Sequence, residues 1–150
     1  MNEQATELPV WIAQHVKLYL EDPEKGHDWD STPIGGPGVL PCLLLITRGR
    51  KTGNTIMLPL VYGQAGDAFV IIASKGGAPA HPAWYLNLLA DPECAIQVRK
   101  ERFRVNARTA QGAEREVLWQ QQVEIYPPYN DYQLTAGERQ IPVVVLEPAK

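Results

Sequence analysis

Three apolar, β-rich runs follow one another at residues 39–47, 55–63 and 68–74, with nothing between them but the short stretches "GRKTGN" and "GQAGD". Both stretches are glycine-bearing turns. Parallel neighbours need a crossover of a dozen or more residues, usually a helix. These gaps leave no room for one, so a doubly wound parallel sheet is excluded and the three runs read as hairpin-linked antiparallel strands. Two more runs, 94–100 and 102–109, meet through "RKER", and a last one, "IPVVVLE", covers 141–147. The pattern predicts a mainly β fold: an antiparallel sheet closed into a small barrel, with helices on its outside.

The helices come from the remaining periodic segments. Over 8–20, Trp11, His15 and Leu18 form one stripe, with Ile12, Val16 and Tyr19 beside it. "HPAWYLNLLADP" predicts a second helix, with Pro82 at its first position and Pro92 past its end. A third covers 111–125, with Trp119 and Val123 on one side, and stops at "YPP". Residues 22–38, rich in Gly, Pro and Asp, read as loop. The chain of 150 residues reads as one domain, in which 1–38 forms an N-terminal helix and loop with room to move.

Cys42 and Cys94 both lie in strand-like segments, as buried thiols of a reducing compartment do. With no CxxC and scattered histidines, no metal site is expected. No apolar run approaches the length of a membrane span, and the N-terminus lacks the order of a secretory signal. The net charge of −3 is unevenly placed. Residues 1–30 carry seven acids and two bases, whereas 31–90 carry four bases (Arg48, Arg50, Lys51, Lys75) against Asp67 alone. A locally positive middle in an acidic chain argues against general nucleic-acid binding and for a small anionic ligand.

Three stretches could hold such a ligand. In "TRGRKTGN" the glycines and cations resemble a phosphate loop, but the required Gly before Lys is replaced by Arg50, and a strand rather than a helix follows. What remains is a turn whose backbone N–H groups, with Arg50 and Lys51, make a cup for phosphate or carboxylate; a solvated hairpin tip has the same composition. In "IIASKGGAPAHPAWYLNL" a strand ends at Ala73 and is followed by Ser74, Lys75, Gly76 and Gly77, where backbone can approach a ligand closely. Trp84 and Leu88 also suit plain core packing, and His81 suits either a cap or a ligand group. In "YPPYNDY", Tyr126, Tyr129 and Tyr132 recur every three residues. Pro127 and Pro128 favour a polyproline path that would put Tyr126 and Tyr129 on one side, as a pocket wall or as a staple of loop to barrel. No nucleophilic or paired-carboxylate set can be assembled, which suits redox chemistry carried by a cofactor.

In combination, "GRKTGN…LPLVY", "DAFVIIASKGGAPAHPAWYLNLLADPE", "YPPYNDYQ" and "IPVVVLEP" resemble the deazaflavin-dependent nitroreductase family of actinobacteria, over about Leu40 to Pro148. The resemblance implies a split β-barrel and coenzyme F420, an 8-hydroxy-5-deazaflavin with a phosphate and a glutamate tail. It implies that Arg50, Lys51, Thr52 and Gly53 meet the phosphate or glutamates, and that Pro59 and Leu60 border the ring. Ala73, Ser74, Lys75 and Gly76 would hold ring and linker, Trp84 would close the groove, and Tyr126, Tyr129 and Tyr132 would line the acceptor side. The implied reaction is hydride transfer from the reduced deazaflavin to a small electron acceptor: a quinone, a nitroaromatic or an activated alkene. Val61 departs from the aromatic residue that some relatives carry after "PL". A flavin-mononucleotide reductase and a non-catalytic deazaflavin carrier are the alternatives. The implied setting is the cytoplasm, with peripheral contact at the inner face of the cell membrane if the acceptor is a membrane-borne quinone. Monomer and homodimer both stay open.

Overall fold

The computed structural model describes residues 10–149. Its strands are β1 (Asp28–Asp30), β2 (Val39–Arg48), β3 (Thr55–Val61), β4 (Gly63–Ala65), β5 (Ala68–Ile72), β6 (Glu93–Val98), β7 (Glu101–Thr109) and β8 (Val143–Pro148). All pair antiparallel, in the order β1-β2-β6-β7-β8-β5-β4, with β3 also on β2. Only Tyr62 separates β3 from β4. One bent segment therefore pairs with β2 at one side of the sheet and with β5 at the other, which curls the sheet into the expected barrel.

The long apolar run of β2 has a simple cause. Successive strand residues point to opposite faces, and both faces of β2 are covered. Leu43 and Leu45 face a core shared with Ile71, Ile96, Val105, Val144 and Leu146. Cys42 and Leu44 face outward onto Val16 and Tyr19. A third cluster packs the outer sides of Val70, Ile72, Val143 and Val145 against Leu118, Trp119, Tyr126 and Tyr129. Both cysteines are buried and free, and burial pushes their thiols up to about 12.

Helices α1 (Val10–Glu21), α2 (Pro23–His27), α3 (Ala83–Ala90), α4 (Gly112–Ile125) and α5 (Pro128–Thr135) surround the sheet. Leu8 and Pro9 of the expected first helix lie outside the described residues. Of its broad apolar face, His15, Val16 and Tyr19 are buried, while Trp11 and Leu18 remain exposed. Residues 22–38 are not the plain loop that their composition suggests. Asp22 caps α2 through the Lys25 N–H, Pro23 opens the helix, and β1 then adds to β2. Gly26 permits this because a Cβ there would lie 2.6 Å from Tyr19 Cγ. Between α4 and α5 the path is not polyproline. Pro127 has helical backbone angles (φ −54°, ψ −31°) and Pro128 opens α5, where a proline's missing N–H costs nothing.

Candidate functional site

The turn between β2 and β3 is closed by the Gly49 N–H on Asn54 O and the Gly53 N–H on Gly49 O, both 2.8 Å. The Thr52 hydroxyl accepts from the Asn54 N–H at 3.1 Å. Arg50 is turned toward α3: its N–H and Nη1 both donate to Asn87 Oδ1, at 3.1 and 2.8 Å, and Nη1 reaches Ala83 O at 3.4 Å. Asn87 is 1% exposed, and its Nδ2 is a buried donor with no partner. Lys51, Thr52 and Gly53 are exposed. Among the described residues, none of Arg48, Arg50, Lys51 and Lys75 pairs with a carboxylate, whereas Arg99, Arg104, Arg108 and Arg115 all do. These four cations are exposed and outside any ion pair among the described residues, with Arg48 lining a cleft that also holds Asp91 and Glu93.

That loop has a specific backbone form. Ser74 is right-handed (φ −77°, ψ −36°), while Lys75 (φ 48°) and Gly76 (φ 62°, ψ 20°) are left-handed. A right-then-left pair turns successive N–H groups into one concavity, an arrangement that binds anions. The Gly77 and Ala78 N–H groups turn back onto Ser74 O and Lys75 O, at 2.9 and 3.1 Å. Those of Ser74, Lys75 and Gly76 make no hydrogen bond to another described group. A non-glycine residue at positive φ is uncommon; among the described residues Lys75 shares it with Arg99, which lies in the β6–β7 hairpin turn.

Two residues that motif reading missed hold this loop. Arg139 Nη1 donates to Ala73 O (3.0 Å), Nη2 to Ser74 O (2.7 Å) and Ala78 O (2.8 Å), and Nε to Ala78 O (3.0 Å). Its Nη1 also lies 3.1 Å from His81 Nδ1, which must accept, so His81 carries its proton on Nε2. Burial, and then the Arg139 charge, hold the His81 imidazolium below its ordinary range. Thr135 donates to Gly77 O at 3.0 Å, which ties α5 to the same loop. Arg139 stands alone in "GERQIPV" without periodicity, and only the fold brings it 65 residues back to Ser74.

The tyrosines do come together, with Tyr129 and Tyr132 on α5 and Tyr126 just past the end of α4, instead of along an extended path. Ring centroids of Tyr126–Tyr129, Tyr126–Tyr132 and Tyr129–Tyr132 are 4.9, 6.0 and 6.3 Å apart. The Tyr126 and Tyr132 hydroxyls share a hydrogen bond of 2.9 Å. Tyr126 and Tyr129 are each 5% exposed, and burial raises both phenols. Tyr132 is the partly open member, seated against Gly77, where a Cβ would lie 2.9 Å from Tyr132 Cα. Trp29 and Val61 pack against the same cluster.

The other expected site residues are dispersed. Pro59 and Leu60 lie half-buried in β3, opposite Leu44 and Leu43. Ala73 is fully buried, leaving only its backbone for any contact. Trp84 is 6% exposed and packs in the barrel core with Tyr85 and Leu88. α3 does not follow the glycines directly; it starts at Ala83, beyond Pro79 and Pro82.

A curled antiparallel sheet closed by one bent strand, with a basic turn after β2 and a loop of unpartnered N–H groups after β5, defines a split-barrel protein. The profile of one family, described as F420H(2)-dependent quinone reductase, matches residues 26–148, and the chain belongs to that family. It is 44% identical over 145 residues to an F420H(2)-dependent quinone reductase of Mycobacterium tuberculosis (strain H37Rv), covering 91% of this chain and 95% of that protein. Among solved structures, an F420-H2-dependent reductase (FDR-A) is 39% identical with a TM-score of 0.66, covering 71% of this chain and 94% of that one. A structure described as a domain-swapped dimer is 32% identical with a TM-score of 0.68, covering 90% and 96%.

Proposed function

We propose that this chain performs the reaction its family is named for, the reduction of a quinone by reduced coenzyme F420. The observation that carries the reading is the row of unpartnered N–H groups at Ser74, Lys75 and Gly76, with the Lys75 side chain exposed and outside any ion pair among the described residues. These residues fit the cofactor's chemistry. Backbone donors suit a phosphate, which takes several N–H bonds at once. Exposed Lys51 suits flexible glutamates, and the orphaned Asn87 Nδ2 supplies one more donor beside Arg50. When bound, the reduced deazaflavin supplies the hydride.

The chain's own residues do the rest. Arg50 bridges the basic turn to α3, so the turn keeps one orientation relative to that helix. Thr52 and Gly53 shape the turn, and Trp84 supports α3 from within the barrel. Pro59 and Leu60 offer an apolar edge for the ring. Tyr126 and Tyr129 form the buried base of the acceptor side, and Tyr132 presents the hydroxyl there. A phenol donor aimed at a quinone oxygen stabilises the negative charge that develops on it.

Quenching of tryptophan fluorescence by F420 and by flavin mononucleotide, followed by turnover of menadione with reduced F420, tests the reading. Binding of F420 and reduction of menadione are expected. Response to flavin mononucleotide alone would replace the cofactor. Binding of F420 without turnover of any quinone, nitroaromatic or activated alkene would make the chain a carrier.

A further inference from the structure

We infer that Arg139 is a positioning residue for the cofactor: its guanidinium holds the carbonyls of Ala73 and Ser74 on one side of the loop, so that the N–H groups of Ser74 and Lys75 face the other. The inference rests on the reading of Ser74–Gly76 as the part of the F420 site that meets phosphate.

A trans peptide is planar, with its C=O and N–H pointing in opposite directions. The Ala73 carbonyl shares its peptide with the Ser74 N–H, and the Ser74 carbonyl shares its peptide with the Lys75 N–H. Pinning the two carbonyls to Arg139, at 3.0 and 2.7 Å, therefore fixes the direction of two of the three free donors. The third, on Gly76, follows from the left-handed angles of Lys75 and Gly76.

The guanidinium is fully committed to this task. It has five N–H donors, and five contacts take them: Nε to Ala78 O, Nη2 to Ser74 O and Ala78 O, and Nη1 to Ala73 O and His81 Nδ1. No carboxylate neutralises Arg139 among the described residues. Its charge sits behind the peptide dipoles and adds to the positive potential on their N–H side. The backbone of Arg139 is itself held, since Gln133 Nε2 donates to Arg139 O at 2.8 Å and Gln133 Oε1 accepts from the Ile141 N–H at 2.9 Å. An ammonium has three donors on a flexible stem and cannot reproduce a planar five-way fork. Lysine at this position keeps the charge and loses the geometry.

The test uses wild type, R139K and R139Q. Amide signals of Ser74, Lys75 and Gly76 are followed by NMR as inorganic phosphate is added. In parallel, each protein is titrated with F420 and with the deazaflavin core that lacks phosphate and tail, and its thermal midpoint is recorded. Phosphate is expected to shift the three amides in wild type and to leave them unmoved in R139K. R139K should bind F420 about tenfold or more weakly, the loss of charge-assisted contacts, while its affinity for the core changes by no more than about twofold. Equal weakening of both deazaflavins would overturn the inference by showing that Arg139 acts through general packing. So would wild-type affinity for F420 in R139K, or amides in wild type that ignore phosphate. Wild type that answers phosphate but does not bind F420 would sink the functional reading and leave the role of Arg139 standing. R139Q removes the charge as well; weaker binding than R139K is expected, and equal binding of F420 by the two would overturn the contribution of charge.

Discussion

At the scale of single residues, exposed groups free to meet a ligand stand apart from buried groups that hold others in place. Lys51 is exposed and unpaired, so Lys51→Ala should leave the thermal midpoint unchanged and weaken F420 by about 1 kcal/mol, roughly fivefold. Titration with the tail-less core, which should bind as before, checks this. The tyrosines divide in the same way. Tyr132 is the half-buried member of the row and its hydroxyl can accept from Tyr126 while donating outward, so Tyr132→Phe should slow menadione turnover by about tenfold or more with little change in F420 affinity. Tyr129 is central in the sequence row, which would make it the expected donor, but its burial in the outer core makes it a packing residue. Tyr129→Ala should cost about 3–5 kcal/mol in stability, measured by denaturant unfolding, whereas Tyr129→Phe should keep turnover. His81 adds a dependence on pH. Because the folded chain holds it below its ordinary 6.5, the unfolded chain binds the proton more tightly. Its contribution is complete above about pH 6.5 and is lost as pH falls from there toward the lowered folded value. His15 is lowered as well and acts in the same direction. A thermal midpoint that falls below pH 6.5, and falls less in His81→Gln, whose amide oxygen can still accept from Arg139, is the expected result.

Among the elements, the N-terminal segment changes most in meaning between sequence and structure. Composition presents 1–38 as a helix and loop lying on a finished barrel. The structure buries Tyr19 against the outer face of β2, 0% exposed, with its hydroxyl 2.8 Å from Cys42 O and 3.2 Å from Gln97 O, and accepting from the Arg99 N–H at 3.0 Å. α1 is therefore the cover of the outer face of β2, and stripping it would expose Cys42 and Leu44. Gly26 is the sensitive point, because a methyl group there meets the Tyr19 backbone and side chain together. Gly26→Ala should destabilise by about 1–3 kcal/mol, the usual cost of overpacking, and a denaturation midpoint equal to wild type would refute this. Near α2, the buried His27 bridges Asp28 Oδ1 (2.6 Å) and the Tyr62 hydroxyl (2.8 Å). The segment is thus bonded to the residue at which β3 bends into β4.

For the molecule as a whole, the separation of charge matters more than its sum. The net charge of −3 would by itself repel a polyanionic cofactor. Arg50, Lys51 and Lys75 lie outside any ion pair among the described residues, so their potential reaches solvent, while Arg104 and Arg108 of β7 are engaged by Glu93, Glu114 and Glu147. Steering of this kind is screened by salt. Raising ionic strength from about 0.02 to about 0.5 M should weaken F420 several-fold and leave the tail-less core nearly unaffected, an outcome that parallel fluorescence titrations would establish. Equal loss for both ligands would show that the surface charge does not read the tail.

The sequence by itself determined the antiparallel barrel, because strand period, turn glycines and gaps too short for crossovers are local properties that leave one topology class. It also marked the basic turn and the "ASKGG" loop, whose glycines and cations are adjacent in the chain. The helical path through "YPPYNDY" was not legible, since Pro-Pro fits either a polyproline segment or the first turn of a helix, and packing of Tyr129 on Trp119 decides between them. Nor were the short α2 and β1, which exist because Tyr19 and β2 wait beside them. Arg139 and Asn87 became visible only in three dimensions, and so did the role of His81, which the sequence left open between a cap and a ligand group. Each acts through hydrogen bonds to partners between 37 and 66 residues away, and no local pattern records a bond that chain folding must first bring within 3 Å.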